Sequence, residues 1–230
     1  MLEELKHTVW EANLKLVEYK LVLFTWGNVS GIDRDANLVV IKPSGVDYSE
    51  MKPEDMVVLT LDGEIVEGNL NPSSDTPTHL ELYRRFPGIG GVAHTHSAFA
   101  VAYAQAQLDI ECAGTTHADF AYGSIPCTRD LKKHEIENDY ELNTGRVIAE
   151  HFEKNGIDYN AVPAVLVCSH GPFTWGKNPL EAAKNAAVLE EVSKMAYLTD
   201  ALGGGTANKY IQKKHYERKH GPNAYYGQKR

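Results

Sequence analysis

Cysteine is scarce in this chain of 230 residues, which has three, at positions 112, 127 and 168, with wide spacings and no CxxC pair. An odd number of scattered cysteines excludes a disulfide-built scaffold and a cysteine-built zinc module. We interpret Cys168, two residues before His170, as a packed core thiol rather than a metal ligand. A reducing, cytoplasmic location is the simplest setting for such a chain.

Long hydrophobic runs, internal repeats and low-complexity linkers are also missing. No apolar run approaches the ~18 residues that a membrane-spanning helix needs. The first residues are acidic and amphipathic, which predicts a helix rather than a secretion signal. The length of the chain and the lack of a linker predict a single domain over residues 1–230.

Basic side chains are in the minority, because 23 Lys and Arg residues against 31 Asp and Glu residues give a formal net charge of −8. This balance argues against a general affinity for nucleic acid or for anionic membranes. It leaves a small anionic substrate possible, since a local cluster of hydrogen-bond donors can override the overall charge.

Hydrophobic periodicity predicts a fold of the α/β class, with helices layered on a mainly antiparallel central sheet. The expected helices cover residues 2–20, 76–86, 98–106, 134–155, 180–201 and 207–219. The expected strands cover residues 21–26, 38–42, 56–61, 64–66, 89–96, 164–169 and 173–176. This order differs from the regular alternation of strands and helices in a doubly wound fold.

Two histidines, His94 and His96, end the apolar run of residues 89–96. Residues i and i+2 of a strand point to the same face, so the two imidazoles could bind one divalent metal. Two histidines without a third ligand are more often structural, but His170 ends a second apolar run, and Asp75 lies upstream. Three histidines and a carboxylate suit a metal that takes part in chemistry, with zinc favoured and Mn²⁺ or Co²⁺ possible.

Three short polar turns could bind a phosphate group. They are Gly27-Asn28, residues 42–45 with Lys42, Ser44 and Gly45, and the pair Ser73-Ser74, which precedes a predicted helix start. Each turn by itself is more often a plain turn, and none has a standard phosphate-loop motif. From the residues alone, the phosphate hypothesis stays open.

Several segments, in this order, carry a resemblance to a known family. They are Trp26-Gly-Asn-Val-Ser, Ile41-Lys-Pro-Ser-Gly-Val-Asp, Pro72-Ser-Ser-Asp-Thr-Pro-Thr-His, Val92-Ala-His-Thr-His-Ser, Thr115-Thr-His-Ala-Asp, Ser169-His-Gly-Pro-Phe and Tyr225-Tyr-Gly-Gln. The chain resembles, from end to end, the L-ribulose-5-phosphate 4-epimerases of the class II aldolase and adducin superfamily.

The resemblance implies a three-layer α/β/α fold of the class II aldolase type and a homotetramer of C4 symmetry with active sites between subunits. It implies one zinc ion per subunit, held by His94, His96 and His170, with Asp75 as a ligand or close to the site. The phosphate of a small phosphosugar would be bound by Asn28, Lys42, Ser44, Gly45, Ser73 and Ser74. Asp119 and Tyr226 would be the acid/base pair, with Tyr226 from the adjacent subunit, and further polar groups would be Thr115, Glu141 and His215.

The activity implied by the resemblance is the interconversion of L-ribulose 5-phosphate and D-xylulose 5-phosphate by retro-aldol cleavage, rotation of the aldehyde fragment and re-addition. Arabinose catabolism and ascorbate degradation both use this step. Two alternatives remain: an aldolase of the L-fuculose-1-phosphate type, in which a Glu usually stands at the position of Asp75, and a non-catalytic module like the adducin head. Without the resemblance, Asp119 would be interpreted as a helix cap and Tyr226 as a packing residue.

Overall fold

The computed structural model describes residues 2–228. Within that range it contains a seven-stranded sheet, whose strands are β1 (Asn28–Asp33), β2 (Leu38–Ile41), β3 (Val57–Thr60), β4 (Ile65–Glu67), β5 (Gly91–His94), β6 (Ala164–Val167) and β7 (Gly171–Gly176). The helices are α1 (Glu3–Glu18), α2 (Thr76–Arg85), α3 (Ala98–Ala106), α4 (Thr115–Ala118), α5 (Lys133–Glu137), α6 (Tyr140–Asn155), α7 (Pro179–Ala201) and α8 (Lys209–His220), with a 3-10 turn at Pro53–Asp55.

The strand order is β4-β3-β2-β1-β5-β7-β6, and every neighbouring pair is antiparallel. Side chains alternate between the two faces, so that Val92 belongs to one core cluster and Ala93 to another. Helices α1 and α7 cover the face of Ala93, and α2 packs with α6 over the face of Val92. The predicted three-layer α/β/α class is confirmed.

The expected strand over residues 21–26 is wrong, because this segment is a turn that connects α1 to β1. Leu21 is buried in the core, but Leu23, Phe24 and Trp26 are exposed, with Phe24 at 76% and in a left-handed conformation (φ 53°). The strand that enters the sheet here is β1, whose Asn, Ser, Gly and Asp residues have low strand propensity. Pairing with β2 on one side and β5 on the other outweighs that propensity.

The expected helix over residues 134–155 is interrupted. Helix α5 ends at Glu137, because Asn138 is extended, and Asp139 then adopts a left-handed conformation (φ 51°) before α6 begins at Tyr140. Asp tolerates this conformation better than most residues, and periodicity alone did not reveal it. Helix α6 then packs closely on α2, since a Cβ on Gly145 would lie 2.8 Å from Cβ of Glu81.

The two strands that carry the histidines are shorter than predicted. Strand β5 ends at His94, so His96 lies in the following loop, and β6 ends at Val167, so His170 lies in the turn before β7. Helix α4 was not predicted. No helix among residues 2–228 is long and apolar enough to cross a membrane.

Candidate metal and phosphate site

His94, His96 and His170 converge at one end of the central strands. One potential ligand atom from each lies within 4.8 Å of the others. The Nε2 atoms of His94 and His96 are 3.0 Å apart, and the rings of His94 and His170 have centroids 4.8 Å apart. His94 and His96 lie on one side of the chain, as the shared-face argument predicts, with ring centroids 4.9 Å apart, although His96 follows the last residue of β5.

The surroundings of His94 fix its orientation. Its Nδ1–H donates to the carbonyl oxygen of Pro172 at 2.9 Å, which leaves the Nε2 lone pair directed at the cluster. The ring also stacks on Phe173, with centroids 4.2 Å apart. A carbonyl partner of this kind is typical of metal-binding histidines.

Burial favours the neutral, metal-binding form of the other two histidines. It lowers the pKa of His96, and it lowers the pKa of His170 to about 4. Three imidazoles within a few ångströms fit a divalent ion of the zinc type, with room for a further ligand from water or substrate. His94, His96 and His170 could therefore hold the metal that the sequence predicts.

Asp75 lies beside this group rather than within it. Its Oδ2 accepts a hydrogen bond from Nδ2 of Asn28 at 2.7 Å, and the residue directly precedes α2. Burial raises the pKa of the Asp75 carboxyl, but His94 and the Asn28 amide together outweigh burial, so the pKa lies below its usual value. An ionised carboxylate next to three imidazoles adds to the attraction for a cation.

The polar turns after β2 and before α2 form one surface. The backbone N–H of Ser44 donates to the oxygen of Asn71 at 2.9 Å, and that of Ser73 donates to the oxygen of Lys42 at 3.0 Å. Asn28 joins them, because its Nδ2 also donates to Oγ of Ser73 at 3.0 Å. The three turns that the sequence kept separate are thus one structural unit.

Lys42 is a buried cation in this unit, with 2% of its surface exposed. Its Nζ donates to the carbonyls of Thr25 at 3.4 Å and Pro43 at 3.2 Å and lies 4.9 Å from the ring centre of Tyr48. Burial lowers the pKa of the Lys42 ammonium group. Gly45, in a left-handed conformation (φ 68°), has no atom near the position of an added Cβ, so the loop is open on that side.

One cavity of about 550 Å³ joins the histidines to these turns. It contains all ten residues that were predicted to bind metal or phosphate, together with Glu141. Of the other lining residues, Gly27 and Pro43 belong to the predicted phosphate turns, whereas Thr25, Trp26 and Tyr140 were not predicted to be site residues. Only the position of Tyr140 next to Glu141 offered a signal for it, and Trp26 was quoted as part of a motif without a role.

The predicted acid/base residues lie elsewhere in the subunit. Thr115, Asp119, His215 and Tyr226 are not part of the wall of the 550 Å³ cavity. Asp119 follows α4, and its Oδ1 accepts from Nδ1 of His215 at 3.1 Å and from Nε of Arg218 at 2.9 Å. Burial opposes ionisation of Asp119, but these donors prevail and keep its pKa below the usual value.

Tyr226 contacts Arg218 of α8, the same residue that donates to Asp119. Its backbone N–H donates to the oxygen of Arg218 at 3.1 Å, and its ring centre is 5.0 Å from the Arg218 guanidinium and 4.5 Å from Nζ of Lys219. The ring is 61% exposed. Asp119, at the end of α4, thus clusters with His215 of α8 and with Tyr226 after α8; the side chains of Asp119 and His215 are only 15% and 20% exposed, and Thr115 begins α4.

Comparison with known proteins gives the class of this chain. The model of the family described as "Class II Aldolase and Adducin N-terminal domain" matches residues 7–197. The chain belongs to this family. Class II aldolases are metal-dependent, and the His94, His96 and His170 group could bind the ion that such an enzyme needs.

Solved structures show the same fold. An L-fuculose 1-phosphate aldolase superposes with a TM-score of 0.79 at 24% identity, over 94% of this chain and 95% of that one. YgbL from Klebsiella pneumoniae, for which aldolase, epimerase and decarboxylase are given as alternatives, superposes with a TM-score of 0.74 at 22% identity, over 93% and 99%. The L-fuculose-1-phosphate aldolase of Thermus thermophilus is 25% identical, with a TM-score of 0.67 over 89% and 100%.

Proposed function

We propose that this protein is a metal-dependent epimerase that interconverts L-ribulose 5-phosphate and D-xylulose 5-phosphate. The observation that carries the proposal is one cavity that joins the three clustered histidines to the paired turns around Lys42 and Ser73. A pentulose 5-phosphate has its oxygen-rich end and its phosphate separated by a few carbons, and the cavity offers a cation site and an anion site in the same enclosure.

The proposed reaction breaks and re-forms a carbon–carbon bond. C4 has no carbonyl neighbour, so its C–H proton is not acidic and direct inversion by deprotonation is too costly. Removal of the proton from the C4 hydroxyl instead lets the C3–C4 bond cleave, which gives glycolaldehyde phosphate and the enediolate of dihydroxyacetone. A bound divalent ion would supply Lewis-acid stabilisation of the negative charge on the substrate oxygens.

The turns around Lys42 and Ser73 hold the phosphate while the aldehyde rotates. Loss of this fragment between cleavage and re-addition would convert the epimerase into an aldolase. Lys42 supplies charge, and the backbone N–H groups ahead of α2 lie at the positive end of the helix dipole. The buried Oδ1 of Asn28 has no partner among the described residues, so it is available to accept a hydrogen bond from a bound hydroxyl group.

Inversion requires proton transfer on both faces of the aldehyde, which we assign to Asp119 and Tyr226 of a neighbouring subunit. Within one chain, Asp119 and Tyr226 lie outside the cavity but in one cluster. This supports the proposal that one subunit contributes both residues to the cavity of another subunit. A homotetramer of C4 symmetry closes such a head-to-tail contact. The lowered pKa of Asp119 keeps its carboxylate ionised and therefore free of a proton of its own, so that it can accept the proton of a C4 hydroxyl, and Thr115 and His215 would support it.

Zinc is the proposed ion, one per subunit, because three imidazoles suit it, although Mn²⁺ or Co²⁺ could occupy the same site. The three cysteines are free and buried, which agrees with the proposed cytoplasmic location. Arabinose catabolism is one pathway that such an enzyme would serve.

The second candidate is a class II aldolase that acts on a deoxysugar phosphate. The similarity to L-fuculose 1-phosphate aldolases favours it. Against it stands Asp75, which is shorter than the Glu expected of that branch and is already engaged by Asn28. A non-catalytic adducin-like role would not require three histidines clustered in one cavity.

The test is an assay of the purified protein with L-ribulose 5-phosphate, with D-xylulose 5-phosphate measured by a coupled reaction, before and after treatment with a chelator. Turnover that disappears with the metal and returns with zinc supports the proposal. Cleavage of L-fuculose 1-phosphate without epimerisation would select the aldolase. Absence of both metal binding and turnover would favour the non-catalytic module.

A further inference from the structure

Tyr140 is the cavity residue that the proposed reaction has not used. It is the first residue of α6, it lines the cavity beside Glu141, and its Oη lies 3.4 Å from Nδ1 of His170. The hydroxyl therefore contacts the back of one of the three clustered imidazoles.

The backbone around Tyr140 is held firmly to α2, the helix that follows Asp75. The Oγ1 of Thr78 donates to the carbonyl oxygen of Glu141 at 2.6 Å, and Gly145 permits close contact of α6 with Glu81. The left-handed Asp139 sets the direction in which the first turn of α6 leaves the preceding segment. The position of Tyr140 is thus fixed relative to the cavity wall and to Asp75, which directly precedes α2.

The hydrogen-bonding requirements of the histidines give Tyr140 a role. A neutral imidazole that offers Nε2 to a metal must carry its proton on Nδ1, and that N–H needs an acceptor. His94 uses the carbonyl of Pro172 for this purpose. For His170, the Oη of Tyr140 is in the corresponding place. A tyrosine oxygen that accepts this bond directs its own proton away from His170.

We propose that Tyr140 is a positioning residue, whose hydroxyl accepts the Nδ1–H of His170, orients that imidazole for the metal and turns its own proton toward the bound sugar. The part of the proposal that concerns the orientation of His170 requires only that the three histidines bind a metal. The contact with sugar rests on the proposed function. At 3.4 Å the bond is long, and hydrogen bonds in such sites commonly tighten only in the loaded complex.

The first test is metal binding by the full chain, which requires no turnover. Tyr140→Phe removes one oxygen and keeps the ring, and Tyr19→Phe, at the end of α1, is the matched control. Titration of metal-free protein with Zn²⁺ should show an affinity about 10–100-fold lower in Tyr140→Phe than in the wild type. The visible spectrum of the Co²⁺-loaded variant should differ from that of the wild type, because the ligand field changes when His170 is reoriented.

An unchanged Zn²⁺ affinity together with an unchanged Co²⁺ spectrum would overturn the positioning role. The sugar contact is tested with the Zn²⁺-saturated variant, where kcat should fall with KM for L-ribulose 5-phosphate little changed. Equal kcat in both saturated proteins would overturn the contact alone. If the wild type does not epimerise but Tyr140→Phe still loses Zn²⁺ affinity, the proposed function fails and the positioning role stands.

Discussion

The Nε2 atoms of His94 and His96 lie 3.0 Å apart, although only His94 belongs to a strand. At this distance two lone pairs repel each other unless one nitrogen carries a proton or both face a shared cation. Since the Nδ1–H of His94 donates to Pro172, its Nε2 is the acceptor of the pair, which a proton on Nε2 of His96 or a shared cation satisfies.

Replacement of His96 by Asn should remove one of the three clustered imidazoles without filling the cavity. We expect weaker metal binding and a kcat lower by orders of magnitude, measured by metal analysis after dialysis and by the coupled assay. The matched control is His134→Asn, on the exposed surface of α5. Full turnover and stoichiometric metal in His96→Asn would contradict the metal assignment.

Lys42→Met should separate phosphate binding from stability. The variant loses a charge-assisted contact, commonly about 1.5–3 kcal/mol, so KM for the phosphosugar should rise by roughly 10–100-fold. The melting temperature should stay equal or rise. The desolvation cost of the buried ammonium group disappears, and this gain outweighs or balances the loss of its bonds to two carbonyl oxygens. Lys194→Met, on the surface of α7, is the control, and an unchanged KM in Lys42→Met would remove the lysine from the phosphate site.

Asp119→Asn should retain metal binding and lose epimerisation by about 10²–10⁴-fold, the usual contribution of an acid/base group. Metal analysis and the coupled assay measure the two properties separately. Circular dichroism of the variant tests whether α8 stays docked, since Arg218 and His215 lose their carboxylate partner. Normal turnover would show that Asp119 takes no part in the reaction.

Hybrid oligomers test whether Asp119 serves a neighbouring subunit. Co-expression of Asp119→Asn chains with His96→Asn chains places an intact Asp119 beside an intact histidine cluster at about a quarter of the sites in a randomly mixed ring. We expect the mixture to regain activity that neither variant has. A mixture as inactive as its parents would mean that both residues act within one chain.

The stability of the metal-free protein should fall as the pH is lowered from about 6.5, the ordinary histidine value. Burial lowers the pKa of His79 to about 3 and that of His117 to about 4, so both are neutral when folded and take up a proton only on unfolding in this range. Each costs about 1.4 kcal/mol per pH unit until the pH reaches its folded pKa. Urea unfolding with chelator between pH 6 and pH 4.5 measures the slope.

His79→Gln removes one of these groups. Its slope of unfolding free energy against pH should be smaller by about 1.4 kcal/mol per unit, whatever the change in absolute stability. His134→Gln is the control with the exposed histidine, and its slope should match the wild type. An equal slope in His79→Gln would show that His79 is not buried in neutral form.

Local residue patterns determined much of this protein. The hydrophobic period of residues 2–20 predicted α1, because a helix that covers a sheet shows an apolar stripe, and the length of residues 180–201 together with the glycines at 203–205 predicted α7. The motifs around Asp75, His94 and His170 predicted residues that line the cavity, because side chains that bind metal or phosphate are recognisable by residue type.

Tertiary structure decided what local patterns do not encode. Residues 21–26 have strand-forming side chains and remain a turn, while the polar β1 is a strand, because pairing partners are available to one and not to the other. The approach of His170 to His94 and His96 follows from the pairing of β7 with β5, and the place of Tyr140 follows from the packing of α6 on α2. Distances between segments far apart in the chain arise only when the whole core packs, so the components of the site are determined by the sequence alone and their arrangement by the fold.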